Sequence, residues 1–339
     1  MAFPATTPAI ERTIHPRGLP EELYLEVTNR CNLRCTTCPQ SWGMPEESAD
    51  LTPERVEQLL AQLPVIRRVV LHGIGEPTLN PQLPAIIRIV KARGAYALFN
   101  TNGLLLRGRL LRELIDSGLD EIRVSIDAAT PETYREVRGA NGFGRIIQNV
   151  KTLTAVRDAS GSLTPRVSLW MTGMRSNIDE LPGLVRIAHE SGITEVYLQR
   201  LVFSGRGNAI EENALYGRLT EAEKGALAEA ERLATELGII LRGSSEALPP
   251  EVAPGFEDAP WRGCRRPWSL IYVTANGNVL PCCIAPFTGA PYAGIVQGNV
   301  FQVPIEEVWD GARYQDWRAR MLDGEPPAAC KGCGSDWAL

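Results

Sequence analysis

Short apolar segments alternate with amphipathic helices through residues 21–243 of the 339-residue chain. The helical segments repeat apolar residues every three or four positions, as Val56, Leu59 and Leu63 do. A strict strand–helix alternation predicts a parallel sheet with right-handed crossovers. Because six repeats are too few for a closed eight-stranded barrel, we expect an α/β fold with a partial (β/α)6 barrel. The predicted strands cover residues 23–28, 68–72, 95–100, 121–127, 166–172 and 195–201.

Threonines mark the starts of three predicted helices. Thr52 and Thr130 each precede a proline, the pattern of an N-cap followed by proline at the first helical position. Thr220 and Glu223 have the spacing of a capping box and predict a long helix that ends near Leu237.

The pattern changes after residues 244–260, which are rich in proline, glutamate and alanine and predict a linker. Asn276-Gly277 is a strong turn signal and predicts a hairpin between residues 270–274 and 278–280. A helix is predicted over residues 305–321. The predicted domains are an N-terminal extension over residues 1–20, a barrel over 21–243, and a linker with a small C-terminal domain over 244–339.

The composition argues against several classes of protein. The net charge is −5 without a long run of either sign, which disfavours a nucleic-acid partner. No unbroken apolar stretch reaches the roughly 18 residues that a membrane span needs. Residues 1–20 lack the apolar region of a secretion signal, so we expect a cytoplasmic location and no membrane partner.

Eight cysteines fall into two groups, and in a chain without a secretion signal such groups indicate metal rather than disulfides. Cys31, Cys35 and Cys38 follow the first predicted strand, where a strand–helix barrel places its chemistry. Three thiolates can hold three irons of a 4Fe–4S cluster and leave the fourth iron open. Zinc is the alternative, but it requires a fourth ligand, and His72 is the one local histidine.

The spacing Cys31-x3-Cys35-x2-Cys38 resembles the signature of the radical S-adenosylmethionine (SAM) superfamily. The resemblance covers most of residues 21–243 and departs at Thr37, where the family usually has a larger residue. It implies a cluster-bound SAM that is cleaved reductively to a 5′-deoxyadenosyl radical, which abstracts hydrogen from a substrate. It also implies a reductase partner such as flavodoxin or ferredoxin.

Further motifs at the ends of the predicted strands resemble the SAM site of the family. The motif after the second strand would bind the SAM amino group, with glycines that let the backbone approach closely. A fourth-strand residue would contact the ribose, an arginine would pair with the carboxylate, and backbone after the sixth strand would meet the adenine. The implied SAM contacts are Gly73, Gly75, Glu76, Asn102, Ser125, Arg138 and Leu201.

The second cysteine group combines Cys264, Cys282, Cys330 and Cys333. Four thiolates can close a complete 4Fe–4S cluster, but two separated cysteine pairs also build zinc sites. The spacing Cys264-x12-Gly277-x4-Cys282 resembles the opening of the SPASM and twitch extensions of radical SAM enzymes. With four cysteines, the resemblance implies the shorter twitch form and one auxiliary 4Fe–4S cluster that relays electrons.

Cys283 is left over and has three interpretations. It can be a small buried hydrophobe beside a ligand. It can replace Cys282 as the ligand. By resemblance to some radical epimerases, it can be a catalytic residue that donates a hydrogen atom to a substrate radical. The sequence alone leaves all three open.

The short segment before the first strand favours a small-molecule substrate, because related peptide-modifying enzymes often have a leader-binding domain there. We expect a sugar- or cyclitol-like compound that is oxidised or epimerised, as in natural-product biosynthesis. The alternatives are a peptide or protein substrate, as in sulfatase maturation, and a non-enzymatic iron–sulfur or zinc protein. Period-two alternation along the strands predicts substrate contacts from Glu26, Tyr197 and Gln199.

Overall fold

The computed structural model of the chain describes residues 11–43, 45–202, 204–215, 219–243, 260–331 and 333. The predicted linker lies outside these ranges except for Pro260. The strands are β1 Glu22–Leu25, β2 Arg68–Val70, β3 Tyr96–Thr101, β4 Glu121–Ser125, β5 Arg166–Gly173, β6 Glu195–Arg200, β7 Ile240–Arg242, β8 Leu270–Val273, β9 Asn278–Leu280 and β10 Gly298–Asn299. The α-helices are α1 Pro53–Ala61, α2 Leu83–Ala92, α3 Gly108–Asp116, α4 Pro131–Arg138, α5 Phe143–Ala159, α6 Leu181–Glu190, α7 Glu221–Leu237, α8 Arg266–Ser269, α9 Tyr292–Ile295, α10 Ile305–Trp309 and α11 Ala312–Asp323.

All described strands belong to one sheet in the order β10-β9-β8-β1-β2-β3-β4-β5-β6-β7. Neighbours from β8 to β7 are parallel, and the sheet ends at β7 and β10 instead of closing on itself. This confirms the predicted α/β fold with an incomplete barrel. Strand β7 was not predicted, because three residues directly after a long helix are too few to show a period.

The apolar faces of the helices cover the outside of the parallel strands. Ile86, Ile87 and Val90 of α2 are fully buried, and they belong to the same core as Leu23 and Val69 on the outward side of the sheet. Burial on both faces explains why these strands are nearly continuous apolar runs.

The three predicted helix starts are confirmed. The Thr52 and Thr130 hydroxyls accept hydrogen bonds from the backbone N–H groups three residues later, at 3.4 and 3.3 Å. Thr220 and Glu223 form the reciprocal capping box at the start of α7. No helix in the described ranges is long and apolar enough to cross a membrane.

The predicted single helix over residues 305–321 is wrong, because two helices, α10 and α11, occupy this region. Gly311 separates them in an extended conformation, with φ −74° and ψ 157°. A side chain there would crowd the Glu307 carbonyl oxygen, 2.7 Å from the position of a Cβ atom. The glycine therefore permits a tight corner that helical periodicity does not reveal.

The predicted hairpin is confirmed as β8 and β9, with Gly277 at φ 83° in the turn. Strand β8 pairs in parallel with β1, so the hairpin extends the barrel sheet instead of forming a separate one. This pairing brings the second cysteine group against the strand that precedes the first.

Candidate active site

One large cavity unites the first cysteine group with the ends of the strands. It has a volume of about 1060 Å³, including solvent at its mouth, and we call it the main cavity. Its walls come from β3 to β6 and the loops after β1 and β2, as expected for a strand–helix barrel. The predicted site residues that line it are Cys31, Cys35, Cys38, Gly73, Gly75, Glu76, Asn102, Ser125, Arg138, Gln199, Leu201 and Cys283.

Neighbouring segments hold the first cysteine loop in place. The Thr36 N–H donates to the Val137 carbonyl at 2.9 Å, and the Thr36 carbonyl accepts from Asn208 N–H at 2.9 Å. Gly139 ends α4 at φ 70°, and a Cβ atom there would lie 2.7 Å from the Arg34 carbonyl oxygen. Only glycine suits this position, because it supplies both the left-handed conformation and the close approach.

The thiols of this loop suit an iron–sulfur cluster. Burial and the nearby Cys35 raise the pKa of Cys38 to about 12, and burial raises the pKa of Cys31. Such thiols become anionic ligands when a cationic metal centre compensates their charge. Three soft sulfur donors around one cavity suit a 4Fe–4S cluster, in which each thiolate binds one iron.

The glycines after β2 are needed for packing against the loop after β1. A Cβ atom on Gly73 would lie 2.3 Å from the Glu26 side chain, and one on Gly75 would lie 2.0 Å from the Thr28 carbonyl oxygen. The expected reason for these glycines was approach of the backbone to SAM. The structure shows a second reason, which is contact between two segments of the chain.

We predict that Gly75→Ala lowers the free energy of unfolding by about 3 kcal/mol, because the backbone of Thr28 must move. Gly225→Ala, at an exposed position of α7 with open space around it, is the matched control. It should be neutral or stabilising by roughly 0.5–1 kcal/mol, since alanine favours the helix. Denaturant unfolding of both variants makes the comparison, and equal effects would contradict this account.

Glu76 connects the loop after β2 to the end of β3. Its Oε1 atom accepts hydrogen bonds from Thr78 Oγ1 at 2.6 Å and Thr101 Oγ1 at 2.7 Å. Its Oε2 atom accepts from the Asn102 N–H at 2.7 Å, and the Asn102 side-chain amide donates to Asn32 in the cysteine loop at 2.7 Å. Glu76 and Asn102 line the main cavity while tying three loops together.

Arg138 joins the cysteine loop to the end of β4. Its Nη2 atom lies 2.8 Å from Asp127 Oδ2, and its Nη1 atom donates to Cys35 Sγ at 3.7 Å. Burial alone would lower the pKa of Arg138, but Asp127 and Cys35 raise it above its ordinary value. The Nε atom is buried without a hydrogen-bond partner in the described residues. The guanidinium is therefore a fixed cation beside a predicted cluster ligand.

Asp127 has an uncommon conformation for a residue other than glycine, with φ 59°. Its Oδ1 atom accepts from the Thr172 N–H at 2.7 Å, and its carbonyl oxygen accepts from the Asn177 side chain at 2.9 Å. These bonds hold the carboxylate against Arg138, 11 residues along the chain.

Arg138→Gln should destabilise the protein by about 3–5 kcal/mol, because it leaves Asp127 buried without its ion-pair partner. Arg135→Gln, at an exposed position of the same helix, is expected to change stability by less than about 0.5 kcal/mol. Urea unfolding of both variants, and of Arg138→Gln combined with Asp127→Asn, tests the coupling. Additive effects in the double variant would contradict it.

His72 and Asn100 line the main cavity but were not among the predicted site residues. His72 Nδ1 and Asn100 Oδ1 are buried without hydrogen-bond partners in the described residues. Burial and the charge of Arg123 lower the pKa of His72 to about 4, so the imidazole is neutral at neutral pH. Val70 pairs with Leu98 across β2 and β3. His72 and Asn100 follow these two residues by two positions each, so their side chains lie on the same side of the sheet.

The three predicted substrate contacts are separated in the structure. Gln199 lines the main cavity. Glu26 instead lines a small cavity of about 250 Å³, where its carboxylate accepts from the Ile74 N–H at 2.6 Å. Tyr197 stacks on Trp170 with ring centroids 4.0 Å apart. Strand alternation selects a face, but it does not show which level of the barrel a side chain occupies.

The four cysteines of the second group line one further cavity of about 440 Å³, which we call the auxiliary cavity. Trp261, Trp317 and Met321 provide apolar walls around the thiols. Burial raises the pKa of Cys282, and burial and the neighbouring thiols raise the pKa of Cys333 to about 12. Four half-buried cysteines with apolar neighbours fit a fully ligated iron–sulfur cluster.

Cys282 and Cys283 face different cavities. Cys282 lines the auxiliary cavity with the other three cysteines, whereas Cys283 lines the main cavity, and Ile284 lines both. The Cys283 thiol lies 3.1 Å from Arg266 Nη1. Burial, opposed by Arg266, raises the pKa of Cys283 to about 11. The structure thus places Cys282, and not Cys283, among the predicted auxiliary ligands.

Two family profiles match separate parts of the chain. The sequence profile of the radical SAM superfamily matches residues 25–188. The profile of SPASM, an iron–sulfur cluster-binding domain, matches residues 264–334. The two matches begin near the first and the second cysteine group, respectively.

Individual relatives differ in how much of the chain they cover. A PqqA peptide cyclase from Streptomyces rochei is 28% identical over 92% of this chain and 82% of its own length. A tungsten-containing aldehyde ferredoxin oxidoreductase cofactor-modifying protein from Pyrococcus furiosus is 30% identical over 53% of this chain, which spans about half (51%) of that relative.

The fold also matches a solved structure. Streptococcus suis SuiB bound to S-adenosylmethionine superposes with a TM-score of 0.64 at 19% identity, over 89% of this chain and 68% of that one. The shared fold, the two cysteine-lined cavities and both profile matches lead to one conclusion. The chain belongs to the radical SAM superfamily and has a C-terminal SPASM-type iron–sulfur cluster-binding domain.

Proposed function

We propose that this chain is a radical SAM enzyme that modifies a peptide or protein substrate. The observation that supports it best is the main cavity, which joins the three cysteines of the first group, the predicted SAM contacts and Cys283. Bound there, SAM and a 4Fe–4S cluster would supply a 5′-deoxyadenosyl radical. The chain itself would hold the cluster, orient SAM and exclude water from the reacting centre.

The roles of individual residues follow from their positions. Cys31, Cys35 and Cys38 would ligate the SAM-binding cluster, and Arg138 would hold the Cys35 sulfur in place. Glu76 and Asn102 would shape the SAM site through their loop-to-loop hydrogen bonds. Ser125 and Leu201 remain the proposed ribose and adenine contacts, and both line the cavity.

The auxiliary cavity is proposed to hold one 4Fe–4S cluster. Cys264, Cys282, Cys330 and Cys333 would supply all four ligands, so this cluster would transfer electrons rather than bind substrate. The SPASM profile supports an iron–sulfur role for this region. Anaerobic reconstitution should give about eight irons per chain, and fewer than about seven would contradict the two-cluster assignment.

A peptide substrate is better supported than the sugar- or cyclitol-like compound that we expected from the short N-terminal segment. The peptide cyclase relative aligns with 92% of this chain. The cofactor-modifying relative aligns with only 53% of it. The main cavity is open to solvent at its mouth, where a peptide segment would enter.

Substrate contacts are proposed from the polar side chains of the main cavity. His72 Nδ1 and Asn100 Oδ1 have no hydrogen-bond partner among the described residues, and Gln199 lies in the same lining. Together they can donate to and accept from an amide group, because a neutral imidazole offers both functions. These residues replace Glu26 and Tyr197 as our proposed substrate contacts.

The test uses the reconstituted full chain with dithionite and SAM. 5′-Deoxyadenosine should form, and short peptides encoded beside the gene should change mass in the same reaction. A panel of aminocyclitols is the comparison. Oxidation of a cyclitol while every peptide stays unchanged would overturn the peptide assignment but leave the radical SAM chemistry intact.

A further inference from the structure

Arg266 lies between the two cavities. It is the second residue after Cys264 and lines the auxiliary cavity together with the four cysteines. Its Nη1 atom is 3.1 Å from Cys283 Sγ, which lines the main cavity. The Arg266 side chain therefore lines the auxiliary cavity and contacts a residue that lines the main cavity.

Arg266 carries a permanent positive charge, because a guanidinium keeps its proton in proteins. It lines the auxiliary cavity together with the proposed cluster ligands Cys264, Cys282, Cys330 and Cys333. A fixed cation therefore lies beside those ligands.

We propose that Arg266 raises the reduction potential of the auxiliary cluster and so favours transfer of an electron from the substrate radical to that cluster. The reduced cluster carries one more negative charge than the oxidised cluster. A nearby cation in a poorly solvated site therefore stabilises the reduced form more strongly. This inference rests on the auxiliary cluster assignment of the proposed function.

The proposed electron transfer runs from the main cavity to the auxiliary cavity. When a substrate radical in the main cavity is oxidised, it loses one electron, and its proton passes to solvent. That electron would pass to the auxiliary cluster, which Cys264, Cys282, Cys330 and Cys333 would hold. Arg266 lies on the boundary that the electron has to cross, and Ile284 is the residue that lines both cavities there.

The test is a redox titration, followed by electron paramagnetic resonance, on the full chain with Cys31, Cys35 and Cys38 changed to alanine. Only the auxiliary cluster then contributes a signal. Arg266→Gln should lower the ratio of reduced to oxidised cluster about tenfold at the original midpoint, a fall of about 59 mV for one electron. Arg266→Lys keeps the charge and should shift the midpoint much less. The matched control is Arg265→Gln, one residue away and exposed, which should not shift it.

Several outcomes decide the matter. An unchanged midpoint in Arg266→Gln, or an equal shift in Arg265→Gln, would overturn the inference. If the Arg266→Gln protein does not hold the auxiliary cluster, a cluster retained by Arg266→Lys would support a role for the charge. Loss of the cluster from both variants would show that Arg266 has a purely structural role. Iron content is measured in every sample. Absence of auxiliary iron from the parent protein would overturn the cluster assignment itself, separately from the role of Arg266.

Discussion

Cys35→Ala is expected to abolish formation of 5′-deoxyadenosine. Only two of the three proposed ligand thiols, Cys31 and Cys38, would remain, and a site-differentiated 4Fe–4S cluster needs three. The change also removes the sulfur that accepts from Arg138 Nη1 at 3.7 Å. Iron should fall from about eight to about four atoms per chain, because the auxiliary cavity is untouched.

Thr37→Ala is the control for this experiment. Thr37 lies in the same loop and lines the same cavity, but it has no thiol. It should keep all the iron and most of the SAM cleavage. A Cys35→Ala protein with full iron content and normal 5′-deoxyadenosine would contradict the cluster assignment, and stoichiometric zinc in the parent protein would favour the zinc alternative.

Cys282→Ala and Cys283→Ala should differ in their effect on iron content, although the residues are adjacent. Cys282 faces the auxiliary cavity, so its loss should remove about four irons per chain. Cys283 faces the main cavity, so its loss should leave the iron unchanged. Metal analysis and the visible spectrum after anaerobic reconstitution measure this difference.

The same two variants separate the possible reaction outcomes. Cys282→Ala should still cleave SAM but lose product, because an electron acceptor is missing. If Cys283 donates a hydrogen atom, its alanine variant should cleave SAM without giving an epimerised product, and the parent should incorporate solvent deuterium. Loss of iron in both variants to the same extent would show that the division between the cavities is wrong.

Local patterns predicted much of the fold. The alternation of strands and helices predicted β1 to β6, and threonine spacing predicted the starts of α1, α4 and α7. These features depend on residues within a few positions of one another, which a single sequence displays directly. The break between α10 and α11 at Gly311 and the short strand β7 were not predicted, because neither produces a periodic signal in the sequence.

Site residues were predictable only where a motif marks them. The residues that line the main cavity include all the predicted SAM contacts, but Glu26 and Tyr197 lie elsewhere. His72 and Asn100 were missed because their importance lies in buried atoms without partners, a property of packing. The register between β2 and β3 is the signal that would have found them.

The sequence by itself indicated the class of chemistry, because the spacing of Cys31, Cys35 and Cys38 is a local feature of the chain and resembles that of a known family. The tertiary structure decided how the two groups relate. Pairing of β8 with β1 brings the C-terminal cysteines beside the barrel, and adjacent Cys282 and Cys283 then face different cavities. Arg138, at the end of α4, meets Cys35 across 103 residues because β1 and β4 belong to the same sheet. Such contacts depend on the order of strands in the sheet, which brings together residues that lie far apart in the chain.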